Sequence, residues 1–500
     1  MHHGRERFAQ EMNRSVQSAI PKQEGSGFSE AGEHVLMDKI RLKEKFPASR
    51  LFRLIQKQHG RRALWLNQGS DRESLMAFRP TAQLTVRQDG RTEIRRGREA
   101  SRFSEHPLEL ISEFVREGSV TEELPSAPPR TFGFLAFDFA SRIEARLACG
   151  AATEDPLPLA HFAQFACVLV CRQDPRATND LCTITAFGDN LAPIVAELEA
   201  ALQEPSSEED AAGQIFESEL CEWPDKTRYL RAVSRALDYI AAGDIYQMNL
   251  ASRFVVESTL SGLEVFERLQ NAQPVPFGLY FATPEFELLS NSPERFLRVR
   301  GDTILTEPIK GTRPRSLDKS RDRALAKELR EDPKERAENI MVVDLERNDL
   351  GRICARGSID VPSLLRVESW TTVHHLVSTV EGQLRPDANL AAILRATFPG
   401  GSITGTPKIR ATEIIAELEE QPREVFTGSF FALRSPRDFD SSILIRTAWA
   451  RDGRFTYHAG CGIVADSVPE NEYEEMWVKA EAFLRAIDLK TAKPASGANS

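Results

Sequence analysis

The chain has 500 residues, 28% of them charged, with a net charge of -10 and a pI near 5.6. That length exceeds one ordinary core, so two domains or one large composite are expected, and the acidic balance excludes nucleic acid as the main partner, because neutralising phosphates needs a basic face. No apolar run reaches the roughly 18 residues of a membrane helix, the opening MHHGRERFAQEMNRSVQ carries no apolar signal segment, and seven scattered cysteines point to reduced thiols in a cytoplasm.

Residues 1–35 are polar, close on GSGFSEAGE and are expected to be a disordered extension. An N-terminal domain is expected over 36–205. Within it, RTFGFLAFDF (130–139) and FACVLVCRQ (165–173) read as strands, and APIVAELEAAL (192–202) as a helix of 3.6 period. Cys167 and Cys171 fall in the second strand and read as core thiols, since no second pair or histidine cluster accompanies them. The acidic stretch QEPSSEEDAAG (203–213) reads as a linker.

A second domain is expected over 214–490. TRYLRAVSRALDYIAAGD (227–244) reads as a helix with Leu230, Val233, Leu237 and Ile240 on one stripe and Gly243 ending it. Strand patterns follow in clusters with hairpin spacing, and two long helices are expected near 333–348 and 470–487. The tail 491–500 reads as disordered. Clustered hairpins argue for antiparallel sheets and the α+β class.

Several stretches carry chemistry. TEPIKGTRPR (306–315) crowds Lys310, Arg313 and Arg315 into what reads as a rigid loop, an arrangement that suits a carboxylated ligand. In EDPKERAENIMVVDLERNDLG, Asp332 can cap a helix, Pro333 fits its first position, and Glu335 and Glu338 share a face. In PENEYEEMWVKAEAFLRAI, Tyr473, Met476, Trp477, Ala480, Leu484 and Ile487 form an apolar stripe, with Glu472, Glu475 and Lys479 beside it. Carboxylates from two helices meeting across a cleft suit a hard cation such as Mg²⁺; the plain alternative is a capping Glu335, a solvated Glu338 and a simple Glu475–Lys479 pair.

FPGGSITGTPKIRATEIIAELE is a glycine-rich turn feeding a helix, with Thr406 and Pro407 as expected cap and first residue, and so an anion site. It is not a phosphate-binding P-loop, because Thr406 stands where the lysine should follow Gly405. AGCGIVADS (459–467) is a glycine-interrupted strand. SSILIRTAWA (441–450) puts Arg446 in a strand pattern, either at an edge or aimed at a carboxylate. WTTVHHLVST alternates, so His374 and His375 face opposite sides.

PIKGTRPR, DPKERAENIMVVDLERNDLGR, VHHLVS, FPGGSITGTPKIRA, IRT, AGCGIVADS and NEYEEMWVKA occur in the order seen in chorismate-utilising enzymes. The chain resembles that family densely over about 240–485, and more weakly through RTFGFLAFDFASRIE. The family includes the large subunits of anthranilate synthase and aminodeoxychorismate synthase, with isochorismate and salicylate synthases as relatives. The resemblance implies large antiparallel sheets in a two-lobed sandwich flanked by helices. It implies acid–base work for Glu294, Mg²⁺ ligation by Glu338 and Glu475 with Glu335 and Glu472 as water-mediated neighbours, and an active-site role for His375. It places Thr312, Ser402, Thr404, Arg446, Gly460, Gly462 and Lys479 at chorismate.

PIKGT resembles the aminodeoxychorismate synthase form, since anthranilate synthases usually carry alanine where this chain has Lys310. In that form the lysine amine attacks the ring covalently and must be uncharged; Arg313 and Arg315 are expected to depress its pKa. The resemblance departs at Phe426, Thr406 and Cys461, and the family's LLES segment, tied to tryptophan binding, is not evident in ALWLNQGSDRES (63–74). No glutaminase signature is found, so a separate glutamine amidotransferase subunit is expected to supply ammonia. No lyase domain follows residue 490, so the expected product is 4-amino-4-deoxychorismate, on the folate route. Two alternatives stay open: an anthranilate synthase large subunit, and a non-catalytic scaffold paralogue.

Overall fold

The computed structural model describes residues 38–42, 46–68, 73–120, 127–147, 156–173, 181–203, 216–419 and 421–489. The expected N-terminal extension, nearly all of the expected linker, Cys149 and the tail lie outside the described residues.

Every paired strand among them is antiparallel. From one edge the ladder runs Ser218–Glu222, Gln247–Ser258, Arg454–Ile463, Thr447–Arg451, Glu287–Ser292 and Phe277–Ala282. It continues through Ala63–Gln68, Glu73–Val86, Ala160–Gln173 and Thr131–Leu135. It then returns to the second half of the chain through Ser429–Ser435, Asp438–Ile443, Arg295–Arg300, Thr303–Glu307 and Val373–Gln383. The architecture is thus a large antiparallel sheet with flanking helices, in the α+β class expected. Strands from the stretch expected as an N-terminal domain supply the middle of this ladder.

The central strands are Val-, Phe- and Leu-rich because helices or other strands cover both faces. One core cluster joins Phe132, Phe134 and Phe165 from the first half to Phe281, Leu288 and Phe430 from the second. Cys167 and Cys171 are buried free thiols on the same strand as the cluster's Val168 and Val170. RTFGFLAFDF forms a strand only to Leu135; Phe137–Arg142 turns into a 3₁₀ helix.

Four local expectations are corrected. PIKGTRP is not a loop but the strand Ile309–Pro314, which pairs along Val373–Gln383. The helix Lys226–Ala241 buries Tyr229, Val233 and Ala236 fully, one step round from the expected stripe, because the Tyr229 ring fills the gap against Tyr473. Thr406 is not a helix cap: Gly405–Thr406 pairs with Gln247–Met248, and the helix starts at Lys408. Arg446 is not in a strand. The pattern breaks between Ile443 and Thr447, and Arg446 takes a left-handed backbone with φ of 51°.

The two long helices appear as Pro333–Gly351 and Pro469–Ala486. Asp332 caps the first by accepting from the Lys334 and Glu335 amides, an arrangement that contributes about 1 kcal/mol. The second buries Tyr473, Met476, Trp477, Ala480 and Leu484, as its periodicity requires. No helix among the described residues is long and apolar enough to cross a membrane.

Candidate active site

The elements that carry the motifs come together. The Lys310 strand lies against the Val373–Gln383 strand with Lys310 opposite Leu376 and Thr312 opposite His375. Between them the register slips by one residue at Gly311, whose φ is 78°. A Cβ there would fall 2.8 Å from Glu335 Oε2. Glycine therefore lets the strand bulge against the Pro333–Gly351 helix.

Lys310 is half-buried, and its Nζ donates to the Ser402 carbonyl at 3.1 Å. The same Nζ lies 3.9 Å from where a Cβ on Gly462 would be, so Gly462 keeps the space beside the amine open. Burial holds the Lys310 pKa below the usual lysine range, with Lys479 adding to the depression and Glu338, Glu294 and Glu335 opposing it. The expected cause is corrected. Arg313 is tied to Glu328, Asp332 and Glu335 at 2.8–3.2 Å, and Arg315 to Asp322 at 2.9 Å and to the Trp370 carbonyl. Both guanidinium charges are spent on carboxylates, so desolvation and Lys479 depress the amine in their place.

Glu294 sits between two strands, 4% exposed. Burial pushes its carboxyl up to about 7, against the opposing effects of the Ser402 hydroxyl, the Lys310 charge and the Ile309 amide. Ser402 therefore touches both titrating partners, through its carbonyl to Lys310 and its hydroxyl to Glu294. Its turn is seated on the Pro333–Gly351 helix because Gly401 has no side chain. A Cβ there would meet Leu345 Cδ2 at 2.7 Å, and the Gly401 amide donates to Glu346 Oε1 at 3.0 Å. Thr404 secures the turn from within, donating its hydroxyl to the Gly400 carbonyl at 2.9 Å.

His374 and His375 do face opposite ways. His374 contacts Asp322 at 3.0 Å and Ser369 at 2.8 Å. His375 Nδ1 contacts the Thr312 hydroxyl at 3.0 Å, while its buried Nε2 has no partner. Burial first, then the Arg446 charge, lower the His375 pKa to about 4. The ring is thus neutral at pH 7. Arg446 Nη1 is likewise buried without a partner, and burial lowers even its pKa because no carboxylate answers it. A buried guanidinium without a counter-charge costs several kcal/mol. A guanidinium and an imidazole nitrogen left without partners can receive an anion.

We predict that Arg446→Met raises thermal stability while weakening substrate capture by about 2 kcal/mol or more, at least ~30-fold in kcat/KM. Melting curves beside steady-state kinetics check this. A melting temperature that falls would mean the guanidinium has a structural partner after all.

The acidic helix residues converge without closing. Glu338 is half-buried with its nearest cation Lys334 at 3.9 Å. Burial raises its pKa, Glu335 and Glu475 push the same way, and Lys310 and Lys334 oppose. Glu335 accepts from Arg313 and does not complete a capping box. Glu472 is buried, and Glu475 pairs with Lys479 at 2.8 Å. Lys479 also donates to the Gly460 carbonyl at 2.9 Å.

Three supporting residues escaped the motif reading. Gln247 Nε2 lies 3.1 Å from the Gly462 Cβ position, with its Oε1 buried and unpartnered. Glu346, next to a Lys408–Asp349 ion pair, carries the Ser402 turn. Arg423, 2% exposed, ties the Ile403 and Asn249 carbonyls to Glu419 at 2.7–3.2 Å beneath the same turn. Only Glu346 left a trace in the sequence, as a carboxylate four residues after Val342 and four before Leu350, on the face the helix buries.

The chain matches the chorismate binding enzyme family over residues 61–485. Aminodeoxychorismate synthase component 1 of Bacillus subtilis (strain 168) is 34% identical over 428 residues, 84% of this chain and 90% of that protein. An anthranilate synthase component I-like protein of Synechocystis sp. is 38% identical over 379 residues, 74% of this chain and 76% of that one. The crystal structure of anthranilate synthase component I from Streptococcus pneumoniae TIGR4 superposes with a TM-score of 0.71 at 28% identity, over 83% of this chain and 92% of that one.

Proposed function

Because the chain belongs to the chorismate binding enzyme family, we propose that its cleft aminates chorismate to 4-amino-4-deoxychorismate. The observation that carries this reading is the half-buried Lys310 amine beside Glu294. An uncharged amine there can add to ring carbon C2 while the C4 hydroxyl leaves as water, taking its proton from Glu294. Ammonia then adds at C4, the double bonds shift back, and the C2–Nζ bond breaks to return the amine. Two allowed displacements replace one poor one. Chorismate and ammonia become aminodeoxychorismate and water, so the chemistry balances.

The remaining groups bind and orient. Arg446 and His375 Nε2 suit one carboxylate of the substrate; Thr312 holds the His375 ring; Ser402 keeps Lys310 and Glu294 in register. Thr404 fixes that turn, and Gly460 and Gly462 leave room for the ring beside Lys479. For Mg²⁺, the fit is in the donors: Glu338 and Glu475 offer hard carboxylate oxygens from two helices, Glu338 with its pKa raised by burial and by Glu335 and Glu475, and with Glu335 and Glu472 beside them. The Cys461 thiol is pushed up by burial to about 12 and stays protonated, so it is no ligand for a hard ion. Bound there, Mg²⁺ would neutralise a substrate carboxylate. Ammonia is supplied by a glutamine amidotransferase partner, in keeping with the component naming of the relatives.

Product identification from chorismate, Mg²⁺ and ammonium tests the proposal. 4-Aminobenzoate should appear only after a lyase is added. A blue-fluorescent anthranilate product would favour the second reading, anthranilate synthase, which the Synechocystis and Streptococcus relatives support by name. Glu338→Gln should abolish Mg²⁺-dependent turnover; an unchanged Mg²⁺ titration would remove Glu338 from the ligand set.

A further inference from the structure

One cluster has chemistry that a hard cation does not use. Cys461 Sγ and one carboxylate oxygen each of Glu472 and Glu475 lie within 4.8 Å of one another, the only such set of three among the described residues. Cys461 comes from the Arg454–Ile463 strand and is 0% exposed. The two glutamates are three apart in the first turns of the Pro469–Ala486 helix and share the face it turns to that strand. The thiol already touches both, its single proton shared between the Glu472 carbonyl at 3.4 Å and the Glu475 carboxylate. A fourth group points at the same spot. The Tyr229 hydroxyl, on a residue 3% exposed, has no oxygen or nitrogen partner; it hydrogen-bonds the Cys461 sulfur and lies near Glu472.

We propose that Cys461, Glu472 and Glu475 form a capture site for a thiophilic divalent cation of the zinc and cadmium class. One sulfur and two carboxylates with one open position match the three-protein-ligand pattern such ions adopt. Sulfur selects them over magnesium and calcium, which gain nothing from a thiolate. Tetrahedral donors around zinc stand about 3.5 Å apart, so closing the set asks for roughly an ångström of movement. Glu475, whose side chain is 54% exposed, can supply it by leaving Lys479. The same exposed side chain gives the ion its way in. Binding exchanges the thiol proton for the metal and delivers that proton to solvent. On the reading of the preceding subsection, the captured ion also withdraws Glu475 from the hard-cation set one residue away from Gly462, and so blocks turnover.

The test is a Cd²⁺ titration of the full chain without chorismate, read by the ultraviolet sulfur-to-cadmium charge-transfer band and by proton release. The wild type should take one equivalent that excess Mg²⁺ does not displace. Cys461→Ser should lose the band and at least ~10-fold in affinity, and Glu472→Gln should weaken it while keeping the band. A Cys461→Ser protein that folds, by its melting curve, and binds the same equivalent with the same band would overturn the site. Because no substrate is present, this result is independent of which product the enzyme makes. Zn²⁺ inhibition relieved in Cys461→Ser reads the link to turnover separately.

Discussion

Replacing Lys310 with alanine should lower 4-amino-4-deoxychorismate formation by on the order of 10⁴–10⁶-fold, the scale on which deleting a covalent nucleophile acts. Alanine removes an amine whose partners are the Ser402 carbonyl and the Glu294 carboxylate, and it leaves a space that the substrate ring or water can occupy. Folding should survive, because a buried cation is lost along with its desolvation cost. The outcome therefore separates chemistry from stability: an unchanged melting temperature with turnover gone. The informative detail is the residual product. If Lys310 forms the covalent intermediate, ammonia entering without it should attack C2 directly, and any leak should be anthranilate. Full retention of aminodeoxychorismate output in Lys310→Ala would end the covalent proposal.

Glu294→Gln is the second large effect, expected at about 10²–10⁴-fold in kcat. Glutamine keeps the size and can still meet the Ser402 hydroxyl, but has no proton to give the departing hydroxyl. The pH profile is the sharper reading. Glu294 is pushed up to about 7 by burial; in the proposed mechanism it protonates the departing hydroxyl, so the rate should fall as pH rises beyond that value. The proposed attack needs Lys310 uncharged, so the rate should also fall on the acid side, through a pKa held below the usual lysine range. A bell results, whose limbs belong to the coupled pair rather than to either residue. In Glu294→Gln the alkaline limb should disappear. If it persists unchanged, the group that titrates there is another one.

The class of fold was legible from the chain, and so were the helices and strands that carry the candidate site residues, for physical reasons. Period-3.6 stripes carry the two acidic helices almost to their ends, since burial of Tyr473, Met476 and Trp477 demands that spacing. Alternation in VHHLVS sorts His374 from His375 correctly. What failed was local backbone that tertiary contact dictates. The break at Arg446 is invisible in SSILIRTAWA, because β-branched and apolar residues run through it; the left-handed turn exists to pair the Asn291 amide with the Arg446 carbonyl. The loop reading of PIKGTRP failed because two prolines and a glycine look like punctuation. At the edge of a sheet, with a bulge, they are compatible with pairing. Arg313 and Arg315 misled for a different reason: their acidic partners lie on a helix, Lys319–Glu331, and at its junction with the next, which the strand motif does not contain.

The order of strands in the sheet also governs how the chain can be made. Thr131–Leu135 waits for Ser429–Ser435, so during synthesis one bare edge of the early strands stays open for most of translation. An open edge recruits whatever extended segment comes by. Slow production of the later half would thus be a hazard to yield rather than to activity, and helper chaperones that shield strand edges should matter more here than for a protein whose neighbours in space are neighbours in sequence.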